Sequence, residues 1–248
     1  MPTGKLIECG LVISNTKVAE ETYLVKISSA RLAKRIQPGQ FINISIGTQL
    51  TDHLLKRPFS IYDTGAGWLS ILYKVKGAVT RQMISLTKGD KLEMVGPLGN
   101  TFSNFGKKTI LLIGGGIGIA PLMLAAKILK KNNKLIILHG VRTKKEAISW
   151  GKTQVKTHID ENKGHFVCEE TEAYIKKYGV NVILTCGPIP MMKRIAQVAG
   201  LYNIPVEASL EARMACGFGA CVGCAIESKQ GFKKVCSDGP VFKGEELW

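Results

Sequence analysis

Acidic residues are scarce: 19 Asp and Glu stand against 34 Lys and Arg, a formal net charge of +15. The positive surplus is not gathered into a block. It falls in dispersed pairs such as Lys107-Lys108, Lys144-Lys145 and Lys233-Lys234, with no stacking aromatics between them. A solvated, lysine-rich surface is expected, not a nucleic-acid partner. A basic rim that steers an anionic cofactor or acidic partner stays open. Pro-rich, Ser-rich and repeated segments are missing, which excludes a solenoid or a low-complexity linker. No basic start leads into an apolar run and a small-residue cleavage site, so no secretory signal is expected and a cytoplasmic location follows. No unbroken apolar stretch spans a bilayer. The one candidate, Thr109 to Leu129, is interrupted by Gly114-Gly115-Gly116 and Pro121 and carries Lys127 near its end. It reads as a buried strand, a tight turn and a helix, with no membrane span.

The 248 residues suffice for two compact domains, or one large one with an appendage. Up to about Val95 the chain is a series of short runs rich in β-branched residues: LIECGLVIS, TYLVKIS, QFINISI, WLSILYKVK and KLEMVG. Turn residues separate them, the pattern of a small antiparallel barrel or sandwich. A short helix is expected at Thr80–Leu86. GPLGNTF, from Gly96 to Phe102, breaks any regular element and marks a boundary. Beyond it, apolar strands (KTILLIGGG, KLIILHGV, VNVILTCG) alternate with helical patterns (APLMLAAKILKK, HFVCEETEAYIKKYG, PMMKRIAQVAGLYN, and weakly EAISWGKTQ). That alternation implies a parallel sheet covered on both faces. A final strand begins near Ile204 and runs into a glycine-bearing cysteine loop.

Four of the seven cysteines lie in that loop, spaced Cys216-x4-Cys221-x2-Cys224-x11-Cys236. In a reducing compartment, clustered thiols point to metal rather than disulfides. The spacing matches the plant-type [2Fe–2S] pattern. Gly217, Gly219, Ala220, Gly223 and Ala225 are all small, so backbone N–H groups can approach sulfides closely. A structural zinc site is the competing reading, but four-cysteine zinc sites favour paired C-x2-C knuckles, and only one is present. Cys9 and Cys168 stand apart and are expected to be small buried hydrophobes.

Two strand-to-helix turns carry the second signal. Gly114-Gly115-Gly116-Ile117-Gly118, followed by Pro121, presents N–H groups and a helix start to a diphosphate, or serves only close packing. No acidic residue closes the next strand; His139, Arg142, Lys144 and Lys145 stand there, so the usual dinucleotide fingerprint is incomplete and NADP stays open. His139 is expected to be structural. Cys186-Gly187-Pro188 forms a second turn at the same sheet edge, placing Cys186 near a nicotinamide, or simply starts a helix with proline. In the first half, Arg57-Pro58-Phe59-Ser60 offers a guanidinium, a hydroxyl and a flat apolar surface.

RPFS, the strand Leu72-Tyr73-Lys74, GGGIGIAP, CGPIPMM and the terminal cysteines, in this order, resemble the ferredoxin–NADP reductase-like superfamily. EARMACGFGAC at Glu211–Cys221 and CSDGPVF at Cys236–Phe242 resemble, within it, the electron-transfer subunits of B-type dihydroorotate dehydrogenases. The resemblance covers nearly the whole chain. It implies an α+β multi-domain fold: an antiparallel FAD-binding β-barrel (1–100), an α/β nicotinamide-binding domain with a parallel sheet (101–205) and a small [2Fe–2S] domain (206–248). It implies that FAD is held by Arg57, Pro58, Phe59 and Ser60, by Leu72, Tyr73 and Lys74, and by Val79-Thr80, where the family has Gly-Thr. Gly115, Gly116, Gly118, Pro121, Cys186, Gly187 and Pro188 would then meet NAD(H), and Cys216, Cys221, Cys224 and Cys236 the cluster. No acid–base catalytic residue is implied. The implied partner is an FMN-containing dihydroorotate dehydrogenase catalytic subunit, in a heterotetramer of two of each, serving pyrimidine biosynthesis. A ferredoxin- or sulfur-linked NAD(P)H oxidoreductase subunit of the same superfamily is the alternative.

Overall fold

The computed structural model describes residues 4–46, 55–161 and 166–248. The first residues read for a leader, and His165 at the start of an expected helical stretch, lie outside them.

Seven antiparallel strands form the first layer: β1 (Leu6–Ala19), β2 (Thr22–Ser28), β3 (Phe41–Ser45), β4 (Arg57–Ser60), β5 (Asp63–Gly65), β6 (Trp68–Lys74) and β7 (Lys91–Leu98). Their order is β4-β3-β7-β1-β2-β6-β5. The long β1 pairs with β7 through Leu6–Leu11 and with β2 through Val12–Ala19. A register break between Val12 and Ser14 bends it, and such bends let one strand serve two sides of a curled sheet. Alternation along β1 turns Glu8 and Val12 inward and leaves Ile7, Cys9 and Leu11 exposed. Cys9 is therefore not the buried hydrophobe expected from its type, because its position in the pleat decides its face; Cys168 is buried as expected. Inward residues such as Ile27, Ile42, Ile71 and Met94 build the first core. Two short helices, α1 (Leu32–Arg35) and α2 (Ala78–Met83), flank this layer.

The second layer is a six-stranded sheet of β8 (Thr109–Gly115), β9 (Lys134–Val141), β10 (Lys156–Ile159), β11 (Val182–Cys186), β12 (Val206–Ser209) and, after the hairpin β13 (Ala225–Ser228) and β14 (Gly231–Lys234), β15 (Val241–Lys243). Its order is β10-β9-β8-β11-β12-β15, parallel except for β15. Helix α3 (Ile119–Leu129) packs one face together with Leu72 of the barrel layer. Helices α4 (Glu170–Tyr178) and α5 (Ile189–Leu201) cover the other. The expected strand, turn and helix at 109–129 are β8, a single 3₁₀ turn over Gly116–Gly118 and α3. No described helix is long and apolar enough to cross a membrane.

One expectation fails in this half. EAISWGKTQ is not helical beyond one 3₁₀ turn, Lys144–Glu146, because its apolar residues lack a continuing helical face. The strand β10 was not expected at all. The sheet also crosses the boundary expected at 205/206: β12 and β15 lie on either side of the cysteine loop in sequence, yet are paired neighbours. The loop is thus held at both ends by one sheet.

Candidate functional site: two adjoining cavities and a cysteine loop

The C-terminal ends of β8 and β11 bring the two glycine turns against each other. A Cβ on Gly118 would lie 2.4 Å from the Cys186 carbonyl oxygen, and one on Gly187 would lie 2.9 Å from the Gly115 nitrogen. Only residues without side chains allow this backbone contact. Gly116 has a left-handed backbone, φ +54°, with open space beside it. The turns form one wall of a cavity of about 940 Å³, which includes Gly115, Gly116, Gly118, Gly187 and Pro188. Pro121 does not line it: it is buried in the first turn of α3, where proline's fixed φ suits a helix start. Cys186 is also buried, and its thiol is pushed well up by that burial. It supports the turn from behind, and its side chain does not line the cavity.

Opposite the glycines, Asp160 follows β10, and its backbone N–H donates to the carbonyl of Val141 at the end of β9. Its Oδ1 is buried without a hydrogen-bond partner, and the residue lines the same cavity. An acidic side chain thus stands beside the end of β9, which carries none of its own.

At the cavity's edge, Lys74 of β6 reaches across to Glu146 at 2.7 Å, and Arg142 meets the same carboxylate at 3.0 Å. Burial works against the Glu146 charge, but the Lys74 and Arg142 contacts outweigh it and hold its pKa down at about 2. This bridge ties the barrel layer to the second sheet. Its contribution is complete above the ordinary carboxylate value of 4.5 and fades as pH falls from there toward about 2. Glu146→Gln is expected to lower the thermal midpoint by about 2–8 °C at neutral pH, from a loss of about 1–2 kcal/mol. In melts at successive pH values, its difference from wild type should shrink below pH 4.5.

A second cavity, of about 230 Å³, lies between the barrel and the second sheet. Pro58, Phe59 and Ser60 of β4 and Leu72, Tyr73 and Lys74 of β6 contribute to its wall, with Thr80 at the rim. Leu72 and Tyr73 are themselves buried, and the Tyr73 ring packs inward against Tyr23 and Phe59. Arg57 stands outside this lining and donates to the Leu55 carbonyl at 2.8 Å. Val79 is one residue into α2, with its side chain in the core. No glycine-like backbone is needed there, so valine is accommodated. The Thr80 hydroxyl accepts N–H bonds from Lys76 at 2.9 Å and Gly77 at 3.1 Å, capping the helix. The apolar floor and the lysine rim, Lys74 and Lys76, fit a flat ring system joined to a diphosphate.

The two cavities share Lys74, Lys76, Ile117 and Glu211. Leu210, Glu211, Ala212 and Met214, also lining the smaller cavity, lead directly into the cysteine loop. Glu211, Lys76 and Asp160 are cavity residues that sequence reasoning missed as site residues. Only Glu211 had a signal, its place at the head of the cysteine phrase.

In the loop, the cysteines fall into two contacting pairs. Cys224 and Cys236 Sγ atoms are 3.2 Å apart, and the Cys221 N–H points to Cys216 Sγ at 3.4 Å. Burial disfavours the Cys216 thiolate, but N–H groups of Phe218, Cys221 and Ala220 overcome it and bring its pKa to about 6. Burial and the neighbouring Cys224 push Cys236 up to about 12. Among the described residues, no three His, Cys, Asp or Glu side chains converge as a single-ion site requires. Four cysteines on a loop that turns backbone N–H groups toward sulfur fit a [2Fe–2S] cluster, which they would hold through thiolates. Gly217 and Gly219 have positive φ, and a Cβ on Gly217 would meet Asn43 Nδ2 at 2.1 Å. Asn43 of β3 donates to the Cys216 carbonyl at 3.2 Å, fastening the loop to the barrel. Cys224, Cys236, Phe41 and Leu98 share one apolar core, so the loop and the barrel are packed together.

An antiparallel barrel, a parallel sheet with glycine turns at its C-terminal edge and an attached cysteine loop define the ferredoxin–NADP reductase-like class of modular electron-transfer proteins. A solved structure of an NADH-dependent reduced ferredoxin–NADP oxidoreductase superposes with a TM-score of 0.85 at 29% identity, covering 96% of this chain and 89% of that one. Phthalate dioxygenase reductase shares the fold at a TM-score of 0.66 and 13% identity, over 90% of this chain and 87% of that one. Residues 211–248 match the family described as the iron-sulfur cluster binding domain of dihydroorotate dehydrogenase B. The chain is 37% identical to the dihydroorotate dehydrogenase B (NAD(+)) electron transfer subunit of Caldanaerobacter subterraneus subsp. tengcongensis, over 95% of this chain and 96% of the relative. It is 35% identical to that of Fusobacterium nucleatum subsp. nucleatum, over 98% of each. The chain belongs to the family of dihydroorotate dehydrogenase B electron transfer subunits.

Proposed function

We propose that this chain carries electrons between NAD(H) and the catalytic subunit of a dihydroorotate dehydrogenase, through FAD and a [2Fe–2S] cluster. The observation that carries this reading is the sequence of shared walls. The large cavity shares four residues with the small one, and the small one's wall runs directly into the cysteine loop. When bound, the flavin exchanges an electron pair with the nicotinamide and single electrons with the cluster, so its place between the two is a chemical necessity.

The chain's own residues bind, orient and insulate. The turns at Gly115, Gly116, Gly118, Gly187 and Pro188 offer backbone to the nucleotide diphosphate, with Pro121 and Cys186 bracing them. Pro58, Phe59, Ser60, Leu72, Tyr73, Lys74 and Thr80 form the flavin wall. Arg57 and Val79 shape its edge. Cys216, Cys221, Cys224 and Cys236 would hold the cluster's irons. The division into 1–100, 101–205 and 206–248 serves as three functional units, with β12 and β15 joining the third to the second. The partner carries FMN, and the assembly contains two of each subunit, in the cytoplasm.

Asp160 supports NAD(H) over its phosphorylated form: a carboxylate accepts hydrogen bonds from a ribose diol and repels a 2′-phosphate. Asp160→Asn is expected to reduce the preference for NADH over NADPH by about 10-fold or more, a difference of about 1.4 kcal/mol. The ratio of kcat/KM values for the two nucleotides checks it.

Mixing the chain with its catalytic subunit tests the function. Dihydroorotate-dependent NAD+ reduction that requires both proteins is expected. Activity only with ferredoxin or a sulfur donor would instead assign the chain to another reductase of the class.

A further inference from the structure

His139 is buried at the end of β9, opposite Gly114 of β8. Its Nε2 lies 3.0 Å from the carbonyl oxygen of Gly116. A carbonyl only accepts, so Nε2 carries the ring proton. Nδ1 is then an acceptor, and it is buried without a partner. The Trp150 ring meets the imidazole edge-on, with centroids 5.1 Å apart, and its own Nε1–H is likewise buried and unpartnered. Burial in these surroundings keeps the imidazole neutral, with its pKa lowered to about 4. A buried histidine that only filled space would be replaceable by an apolar residue. This one makes a single directed hydrogen bond, to the left-handed residue that opens the glycine turn.

That bond has a consequence for the turn. In a planar trans peptide, the carbonyl of one residue and the N–H of the next point in opposite directions. Holding the Gly116 carbonyl toward His139 therefore turns the Ile117 N–H away from it. The N–H groups at the start of a helical turn have no acceptor within the turn, and Ile117 lines both cavities. Glycine at 116 has the freedom to flip that peptide. The turn's own bond from the Ile119 N–H to the Gly116 carbonyl restrains that flip, and the imidazole adds a second donor to the same oxygen from outside the turn.

We propose that His139 is a positioning residue for nucleotide binding: its Nε2–H, together with the Ile119 N–H, holds the Gly116 carbonyl and so keeps the direction of the turn's N–H donors. The inference rests on the reading of the large cavity as the NAD(H) site and adds to it the residue that keeps the site formed. Sequence reasoning had assigned His139 a merely structural role.

The experiment compares His139→Gln, His139→Asn and His139→Leu in the full chain with FAD and cluster loaded. NAD+ affinity is measured by titration calorimetry, and KM and kcat for NADH are measured with ferricyanide as one-electron acceptor. The glutamine amide nitrogen reaches the place of Nε2, whereas that of asparagine falls short, near the place of Nδ1. Loss of one directed hydrogen bond is expected to weaken NAD+ binding by about 5- to 10-fold in the Asn and Leu variants, with Gln within about twofold of wild type. KM should rise in parallel while kcat and the visible spectrum hold. Equal affinities for Gln and Asn, or wild-type affinity for Leu, would overturn the role of His139. Should the Leu variant fail to fold, the Gln and Asn pair decides. Wild-type protein that binds no NAD+ would instead refute the cavity's assignment.

Discussion

Cys216→Ser is expected to yield a folded protein that oxidises NADH with ferricyanide yet no longer delivers electrons to the catalytic subunit. Cys216 lies on a half-exposed loop and lines neither cavity. Its removal leaves the nucleotide and flavin walls intact. It does remove the thiol whose surroundings favour thiolate most clearly, with its pKa brought to about 6 by the loop's N–H groups against the effect of burial. A weaker alkoxide-type donor in that position cannot hold iron comparably. Changes one shell out from a metal already cost about 10–100-fold, so loss of a direct ligand is expected to cost the coupled reaction at least ~100-fold. Iron and sulfide content should fall with it. Cys9→Ser, on the exposed face of β1, is the matched control and should change neither quantity. Equal loss of the ferricyanide and coupled activities would show that the loop supports the flavin cavity rather than the exit path.

Gly118→Ala is expected to have the opposite profile. The added Cβ would lie 2.4 Å from the Cys186 carbonyl oxygen and 2.6 Å from its carbon. Both are backbone atoms at the end of β11, so no side-chain rotation relieves the contact. Overpacking of this kind costs about 1–3 kcal/mol, which corresponds to a fall of about 2–12 °C in thermal midpoint for a chain of this size. The larger effect is on function, because the two turns must separate to admit the methyl group. NAD+ affinity should fall by about 30-fold or more if some 2 kcal/mol of turn geometry is lost. Iron content should stay at the wild-type level. Gly116→Ala makes the informative comparison. A Cβ there meets nothing within 4 Å, and the cost is that of a left-handed backbone at φ +54°, about 1–2 kcal/mol.

The parts of this molecule that were legible in the sequence are those where chemistry and local pattern coincide. β8, β9 and β11 are continuous apolar runs because both their faces are covered, and all three were read close to their bounds. The cysteines declare themselves by spacing and by the small residues between them. β10 was missed because Lys156–Ile159 is a four-residue, half-buried edge strand whose first three residues are polar. With it went Asp160, whose importance depends on which strand lies beside β9. The hairpin β13–β14 is short and largely polar, and the returning strand β15 has only three residues and pairs non-locally with β12. Val79 was read against a family pattern that has glycine there. The structure shows a helix start that accepts a β-branched residue, with Val79 in the core and Thr80 as the cap. Cys186 and Pro121 sit in glycine-rich phrases, but they face inward. A motif identifies the turn; only the fold separates the residues that line it from those that brace it.

The most direct test of the account is the response of anaerobically isolated protein to NADH alone. The account predicts two irons and two sulfides per chain, together with bound FAD. It predicts that NADH bleaches the flavin absorbance and that a paramagnetic signal from a reduced [2Fe–2S] cluster appears with no other reductant present. Zinc in place of iron, or iron that stays unreduced while the flavin is bleached, would contradict the proposed path from nucleotide cavity to cysteine loop.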